Sequence, residues 1–391
     1  MLIYSIFKKL IRLFKKALGV LIFLPFYPFI RVLNIYVERI GHLLLETDCL
    51  LRDKNLVKKR KYKWIILVNS KNQISNKAFF ELIKEEITVI VFPEIFFKFI
   101  IIPNFIIIDS NHYAAVMYDN AKCFKIQAER EIYQNKQYKI PIHWQAFHYE
   151  FFKKWGIPKN SRYVCLHVRE GGYSPLDEYT HFYRNSSIDS YLEVIKLLTE
   201  KGIYVIRMGD CTMKPLPRLP YVIDYALSQD KSEILDLTLG ANCYFFLGTS
   251  SGAALLASIF GKPCCLVNIS MPFGFSGVGT YYDLGIPKLF KRKLNNEFVP
   301  FREIYQSGAS EFRVSADLDN SSYYLVDNSS SEICEIVIEM LERLDGSFPA
   351  DADSLNLQKK LKSMIPQTSY SYGSKTPCGA AFLDSYRNLL T

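Results

Sequence analysis

Apolar runs of strand length alternate with helical stretches along most of the chain, and the clearest example spans residues 243–268. An apolar run at 243–247 is followed by a small polar turn, a helical run that ends at Gly261 and Pro263, and a second apolar run. This order predicts a strand, a loop, a helix and a further strand of a parallel sheet. Because the same alternation recurs on both sides of this segment, we predict an α/β fold with parallel sheets.

The loop of this unit consists of small residues with a distinct chemistry: Gly248, Thr249, Ser250, Ser251 and Gly252. The glycines let the backbone approach a ligand closely, and the hydroxyl side chains are typical helix caps. Backbone N–H groups at a helix start attract anions, above all phosphates. The loop is therefore either a phosphate-binding loop or an ordinary cap between core strands.

Two α/β series are separated by the breaker sequence Gly156-Ile157-Pro158. At 391 residues the chain also exceeds the size at which single hydrophobic cores stop growing. We predict two Rossmann-like domains facing a cleft, with ligands at the carboxyl ends of the strands. The predicted ranges are 1–37 for a helical membrane-associating segment, 38–156 and 157–346 for the two domains, and 347–391 for a partly irregular tail.

The first residues combine apolar and basic positions with a helical period. Apolar side chains fall on one side and cations on the other, namely Ile3, Ile6, Phe7, Leu10, Phe14 and Leu18 against Lys8, Lys9, Arg12, Lys15 and Lys16. Such a helix lies on an anionic membrane surface. The apolar run at 17–30 is broken by Pro25 and Pro28 and is shorter than the roughly 20 residues that span a bilayer. We expect an interfacial anchor; a spanning anchor and a helix packed on the protein's own core are the alternatives.

Charge and cysteine content exclude several classes of partner. Much of the net charge of +9 is local, at residues 8–16 and 58–63, and no basic stripe or motif typical of a nucleic-acid binder is visible. The nine cysteines show no metal-ligand spacing. Those in apolar runs, Cys165, Cys243, Cys264 and Cys265, are expected to be buried thiols of a reducing compartment. Asp-x-Asp occurs at 317–319 and 351–353, but none follows the strands that carry the candidate arginines, so we expect no metal.

Charged residues follow two other strands of the second series. One strand ends in His167-Val168-Arg169 and the next in Arg207. Because a planar guanidinium binds phosphate through two parallel hydrogen bonds, these arginines and the glycine loop would suit a diphosphate. An ion pair of Arg169 with Glu170 or Asp210 is the alternative. His167 shares a face with Arg169 and is either catalytic or a core histidine that orients Arg169.

Two further positions carry candidate chemistry. Asp224 follows a proline-rich loop and either binds a ribose or base or caps a helix. In the first domain, Gly41-His42 is typical of a glycine-containing turn near a cleft, and His42 is a candidate base or acceptor ligand, or a plain loop residue. The chain lacks Gly-x-x-x-x-Gly-Lys-Ser/Thr, which disfavours P-loop ATPases, whereas the loop at 248–252 itself matches Gly-x-Ser-x-Gly.

Several of these segments carry a resemblance to a known family. They are Arg39-Ile-Gly-His42, Cys165-Leu-His-Val-Arg169, Tyr183-Arg184-Asn185, the strand ending in Arg207-Met-Gly209, Ile223-Asp224-Tyr225-Ala226 and the loop at 245–252. In this order they resemble a bacterial family of GT-B-type glycosyltransferases that is associated with surface-polysaccharide clusters. The His-x-Arg element and the Ser-Ser-Gly loop are also distantly similar to fucosyltransferases that use GDP-fucose. In those enzymes the motif arginine contacts the donor diphosphate, which implies that role for Arg169.

The resemblance implies a glycosyltransferase that uses a nucleotide sugar as co-substrate, without a cofactor. The N-terminal domain would bind a lipid-linked or polysaccharide acceptor and the C-terminal domain the nucleotide sugar, at the cytoplasmic face of the inner membrane. Many GT-B enzymes carry a Glu in the helix after the Ser-Gly loop, but residues 253–258 contain no acid, so the donor sugar stays unassigned. A non-catalytic sugar- or nucleotide-binding scaffold and a sugar-nucleotide epimerase are the alternative functions.

Overall fold

The computed structural model describes residues 2–52, 62–109, 138–270, 282–349, 351–369 and 371–391. Its contacts divide the chain into two compact units, Met1–Tyr118 and Asp119–Thr391. Each unit contains a parallel sheet with helices, as the alternating pattern predicts. The predicted boundary at 156 differs from this division because the helix Ile142–Lys154 belongs to the second unit.

The first unit is built on four parallel strands in the order β3-β2-β1-β4. The strands are β1 (Ile30–Asn34), β2 (Lys63–Val68), β3 (Ile87–Val91) and β4 (Ile107–Asp109), and the helices are α1 (Leu2–Phe23), α2 (Ile40–Arg52), α3 (Ala78–Leu82) and α4 (Glu94–Phe99). The strand order reverses between β1 and β4, and ligands of open α/β sheets bind at such a switch point. The loop after β1 leads into α2 at this edge of the sheet.

The N-terminal segment contributes to the first unit along part of its length. The side chains from Tyr4 to Phe14 are exposed, whereas Phe23 lies in a core cluster with residues such as Val32 and Ile106. The strand β1 occupies an interior position of the sheet, although the sequence analysis placed all of it in the membrane-associating segment at 1–37. Within the described ranges, no helix combines the length and apolar character needed to cross a membrane.

The second unit contains six parallel strands in the order β10-β9-β8-β5-β6-β7. They are β5 (Tyr163–His167), β6 (Tyr204–Arg207), β7 (Val222–Ile223), β8 (Phe245–Thr249), β9 (Cys264–Ile269) and β10 (Leu284–Pro287). Every residue of β5, β8 and β9 is buried, because strands of a parallel sheet with helices on its faces have no solvent side. This is the Rossmann order, and its switch point lies between β5 and β8.

Helices and a small antiparallel pair complete the second unit. The pair is β11 (Leu289–Arg292) and β12 (Tyr323–Val326). The helices are α5 (Ile142–Lys154), α6 (Pro175–His181), α7 (Leu192–Glu200), α8 (Glu233–Asn242), α9 (Leu255–Ser258), α10 (Phe301–Gln306), α11 (Ser315–Asp319), α12 (Ser330–Asp345), α13 (Ala352–Met364) and α14 (Ala380–Ser385).

The last residues are more ordered than their composition suggests. The predicted irregular tail contains α13 and α14, and a partly buried hydrogen bond joins it to the rest of the unit. Ala380 N donates to Glu339 Oε2 on α12 at 2.7 Å, and within the tail Cys378 N donates to Gln358 Oε1 at 3.0 Å. The carboxylate of Glu339 accepts a hydrogen bond from a backbone N–H at the start of α14, where N–H groups have no partner within the helix. This is a tertiary contact that the local sequence does not encode.

We predict that Gly248→Ala destabilises the protein. An alanine is ordinarily better than glycine inside a strand by about 0.5–1 kcal/mol. At this position a Cβ would collide with the backbone carbonyl of His167 on the neighbouring strand. We therefore expect the free energy of unfolding to fall by about 1–3 kcal/mol, as in other overpacked cores. Chemical denaturation measures it, and an unchanged or higher stability would contradict the close approach of β5 and β8.

Candidate functional site

The loop after β8 is held at the switch point by a contact with the end of β5. Arg169 N donates to Thr249 Oγ1 at 2.9 Å, which ties the two strand ends together. The expected helix cap is not formed by the side chain of Ser251. The Ser251 Oγ instead lies 3.1 Å from Nδ1 of His167. The loop continues into a short 3-10 turn, Gly252–Ala254, and the four-residue α9, so any helix dipole here is small.

His167 lies beneath this loop as a buried side chain. Burial lowers its pKa to about 4, and the charge of Arg207 acts in the same direction while Asp210 opposes it. The imidazole is therefore neutral at physiological pH and has one ring nitrogen next to the hydroxyl of Ser251. This environment suits a residue that fixes the loop.

Arg169 is only partly enclosed, with 14% of its side chain exposed. Its guanidinium donates to the backbone oxygen of His181 at 3.1 Å and to Oδ1 of Asn185. The carboxylate of Glu178 lies 3.7 Å from Nη1. An ion pair with an acid is thus present, and Glu178 provides it in place of the neighbouring Glu170.

Arg207 does not have the setting that the diphosphate prediction requires. Its side chain is 0% exposed, and Nη1 donates to Asp224 Oδ1 at 2.9 Å. Nη2 donates to the backbone oxygen of Lys214 at 2.8 Å and to Oε2 of Glu170 at 3.3 Å. A guanidinium that is enclosed in this way stabilises the loop after β6, and it is not positioned to bind a ligand. The position at a strand end was predicted correctly, but the side-chain direction was not.

Asp224 belongs to the same buried arrangement. Its Oδ1 accepts from Arg207, and its Oδ2 accepts from the backbone N–H of Leu216 at 2.9 Å. It is the residue before a 3-10 turn, but its side chain makes no capping hydrogen bond there. Neither the ribose contact nor the helix cap describes this carboxylate, which instead fixes the proline-rich loop onto β6.

Two basic residues that the sequence did not single out lie around Arg169. Arg184 Nη2 donates to the backbone oxygen of Ser250 at 2.6 Å. Lys288 Nζ donates to the backbone oxygen of Asn185 at 2.6 Å and lies 2.7 Å from Oδ1 of Asp327. Burial lowers the pKa of Lys288, Asp327 opposes that shift, and the charge of Arg169 adds to it. Arg184 was visible only within the family resemblance, and Lys288 gave no sequence signal because it follows the distant strand β10.

A neutral hydrogen-bond network closes the carboxyl end of β9 beside these cations. Asn268 and Asn328 exchange two hydrogen bonds of 2.6 Å between side-chain oxygen and backbone N–H. Asn268 Nδ2 also donates to Ser186 Oγ at 3.0 Å and to the Tyr191 hydroxyl at 3.2 Å. Asn268 has a φ of 54°, a left-handed conformation that asparagine tolerates. This network fixes Ser186, the residue next to Asn185.

His42 lies in the first unit, in the first turn of α2 instead of a loop. Its Nδ1 is 2.5 Å from Oε1 of Glu46, and its ring packs edge-on against Tyr36 with the centroids 5.3 Å apart. The backbone there is helical, so the interpretation of Gly41-His42 as a glycine turn is wrong.

The four cysteines that were predicted to be core thiols all lie in the described part of the chain. Cys165, Cys243, Cys264 and Cys265 are free and buried, as expected from their apolar surroundings. No group of three or more His, Cys, Asp or Glu side chains within the described residues is arranged to hold a metal ion.

Comparison with known proteins gives a structural likeness without a sequence relative. No protein-family model matches the sequence, and no curated protein shows significant similarity to it. The structure of a family 9 glycosyl transferase from Veillonella parvula aligns over 81% of this chain and 98% of its own, with 12% identity and a TM-score of 0.50. At this identity the match shows a shared fold. The predicted α/β fold of the GT-B type is confirmed.

Two E. coli structures are more weakly similar. ADP-heptose lipopolysaccharide heptosyltransferase II aligns over 81% of this chain and 99% of its own, with 10% identity and a TM-score of 0.43. The heptosyltransferase WaaC with ADP aligns over 66% of this chain and 93% of its own, with 12% identity and a TM-score of 0.38.

We predict that His167→Gln reduces the acid sensitivity of the fold. The pKa of His167 is lowered from 6.5 to about 4, so between these values the unfolded chain binds a proton that the folded protein does not. Stability therefore falls as the pH falls through this window, by up to about 3 kcal/mol for one such group. Urea unfolding at pH 7 and pH 4.5 should show a smaller loss for the variant. The control is His143→Gln, at an exposed position. If His167→Gln lost as much stability between pH 7 and pH 4.5 as the wild type and this control, the burial of a neutral His167 would be contradicted.

Proposed function

We propose that this protein is a glycosyltransferase that uses a nucleotide sugar. The observation that carries the proposal is a group of three cations at the switch point of a Rossmann-ordered sheet. The side chains of Arg169 and Lys288 meet at Asn185, and that of Arg184 contacts the loop after β8. A diphosphate is the ligand that such a group of cations fits best. The fold shared with a family 9 glycosyl transferase supports the same reaction class.

The donor diphosphate binds at Arg169 in this proposal. Its guanidinium is in contact with Asn185 and near Glu178, and one oxygen-rich ligand replaces these weaker partners. Thr249, Ser250 and the N–H groups around Gly252 bind the same phosphates from the other strand. When the sugar is transferred, the leaving diphosphate gains negative charge, and fixed cations stabilise that charge more than the ground state. The reaction then proceeds with the nucleotide sugar as co-substrate and without a cofactor.

The variant Arg169→Ala is expected to lose donor affinity while the protein remains folded. Loss of a charged hydrogen-bond partner typically costs about 1.5–3 kcal/mol, or roughly ten- to a hundredfold in affinity. Arg169→Lys should restore part of the affinity, since an ammonium lacks the guanidinium fork. Calorimetric titration with a panel of nucleoside diphosphates and nucleotide sugars measures the effect.

The matched control is Arg162→Ala, at the opposite end of β5. Arg162 is exposed, pairs with Asp345 at 3.4 Å and packs over the ring of Tyr244. We expect no change of donor affinity in this variant. Glu170→Ala is unsuitable as a control, because Glu170 contacts the buried Arg207. Equal donor affinity of wild type and a folded Arg169→Ala would remove Arg169 from the donor site, and a wild type that binds no member of the panel would contradict the function itself.

We further propose that the acceptor is membrane-bound or a growing polysaccharide, and that α1 holds the protein at an anionic membrane surface. Residues 1–37 contain six Lys or Arg and no Asp or Glu. The first half of α1 exposes apolar side chains, among them Phe7, Leu10 and Phe14. A basic helix with exposed apolar side chains has two sources of membrane affinity. Its cations are attracted to anionic lipids, and its apolar side chains are buried in the interfacial region. Because the helix is attached to the first unit, the acceptor domain would face lipid-linked substrates.

Neutralising two adjacent lysines of α1 should weaken membrane binding. Each basic side chain near an anionic surface contributes about 1 kcal/mol, so Lys8→Gln with Lys9→Gln should lower partitioning by roughly thirtyfold. Flotation with vesicles of phosphatidylcholine and phosphatidylserine measures it. The matched control neutralises Lys359 and Lys360, an adjacent and exposed pair on α13, and should bind like the wild type. Protein that remains in membranes after carbonate washing would contradict peripheral binding.

A further inference from the structure

The first unit exposes apolar side chains outside the basic first half of α1. On α4, Ile95 and Phe99 are 61% and 56% exposed, and their i,i+4 spacing places them on one face of the helix. Phe105, in the 3-10 turn before β4, is also exposed. Exposed apolar surface marks an interaction site when it is contiguous, whereas single scattered residues need no explanation. The role of these side chains therefore depends on how they are placed relative to α1.

The second half of α1 is fixed to α4 and to the segment that follows α4. Phe96 of α4 packs edge-on against Phe23, with the ring centroids 6.4 Å apart. Ile101 N donates to the backbone oxygen of Lys15 at 3.2 Å. The backbones approach so closely that a Cβ at Gly19 would collide with the backbone oxygen of Ile101. These contacts make the second half of α1 an integral part of the first unit.

Exposed apolar side chains lie on both sides of this packed contact. Leu24 and Ile95, which adjoin the two packed rings in sequence, are both more than half exposed. The rings of Tyr27 and Phe105 are in edge-on contact, with their centroids 5.3 Å apart, and both remain exposed. The N-terminal segment and the α4 region thus share one surface, the composite apolar face, which consists of Leu24, Tyr27, Ile95, Phe99 and Phe105.

The charge around the composite apolar face favours an anionic bilayer as its partner. Residues 1–37 carry six Lys or Arg and no Asp or Glu. Arg31 lies over the ring of Tyr27, 4.1 Å from its centroid, so a cation adjoins the face itself. On α4 the charges of Glu94 and Lys98 form an ion pair at 3.0 Å and cancel. A second copy of the chain would bring the same positive charge and be repelled, whereas anionic headgroups neutralise it.

We propose that the composite apolar face is a second membrane contact, buried together with α1 in the interfacial region of an anionic bilayer. This role of the face rests on the proposed anchoring by α1. Because α1 is fixed to α4, binding of α1 to the bilayer brings α4 to the same surface. Two connected contacts then hold the first unit in one orientation. Burial of apolar side chains at α4 is not screened by salt, unlike the attraction between lysines and lipid charge.

Flotation of the full chain with vesicles of phosphatidylcholine and phosphatidylserine tests this contact. For Ile95→Ser combined with Phe99→Ser, with α1 unchanged, we expect partitioning to fall by roughly ten- to a hundredfold, because two large apolar side chains are lost from the interface. This fall should be the same at low and at high salt. The fall caused by Lys8→Gln with Lys9→Gln should become smaller at high salt, since it is electrostatic.

The matched control for the serine variant is Leu294→Ser combined with Leu355→Ser. Both leucines are exposed and belong to the second unit, so this variant should bind vesicles like the wild type. A second measurement reports lipid contact directly. Phe99→Trp keeps an aromatic side chain at the exposed position, and lipids brominated on their acyl chains should quench its fluorescence beyond the quenching of the native tryptophans. Leu294→Trp should show no such additional quenching.

The outcomes separate this contact from the anchoring by α1. A serine variant that floats like the wild type, with no additional quenching in Phe99→Trp, would overturn the role of the face and leave the α1 anchor standing. A wild type that does not bind the vesicles would overturn both membrane proposals, while donor titration decides the glycosyltransferase proposal separately. Self-association of the wild type without lipid, abolished in the serine variant, would assign the face to a second copy and overturn the lipid contact.

Discussion

The close pairing of β5 with β8 is the constraint on which the candidate donor site depends. Gly248 faces His167 in the strand register, and the backbones approach so closely that no side chain fits at Gly248. The hydrogen bond from Arg169 N to Thr249 Oγ1 continues this contact beyond the end of the sheet. The two strand ends are therefore held together, and the reversal of strand order there opens the crevice in which a ligand of this fold binds.

Charge balance around Asn185 explains how several cations lie close together at this crevice. Asn185 accepts from Arg169 through its side chain and from Lys288 through its backbone oxygen, while Asp327 and Glu178 supply negative charge. Buried cations without such partners would be costly. Neutral amide acceptors are weaker than phosphate oxygens, so the proposed diphosphate would form stronger hydrogen bonds with these cations than Asn185 does.

Periodicity was sufficient to predict β5, β6, β8 and β9 and the loop at 248–252, because parallel buried strands read as continuous apolar runs. It could not predict the direction of the Arg207 side chain, which is decided by Asp224 and Glu170 on neighbouring segments. Lys288 enters the site from a strand far along the sequence. The order of the tail depends on Glu339, another long-range partner. β1 was included in the predicted membrane segment at 1–37 because it follows the apolar run at 17–30 without a clear boundary.

His167 and His42 have the same side chain but differ in burial and in hydrogen-bond partners. His167 is buried beside a hydroxyl, and its pKa of about 4 keeps it neutral, so it holds the loop of the donor site in place. His42 keeps contact with solvent while a buried carboxylate holds its Nδ1. A buried imidazole with a lowered pKa stays neutral and serves as a fixed hydrogen-bonding group, whereas an imidazole that reaches solvent keeps an accessible ring nitrogen. The surroundings of each ring, and not the residue type, therefore decide what each histidine can do.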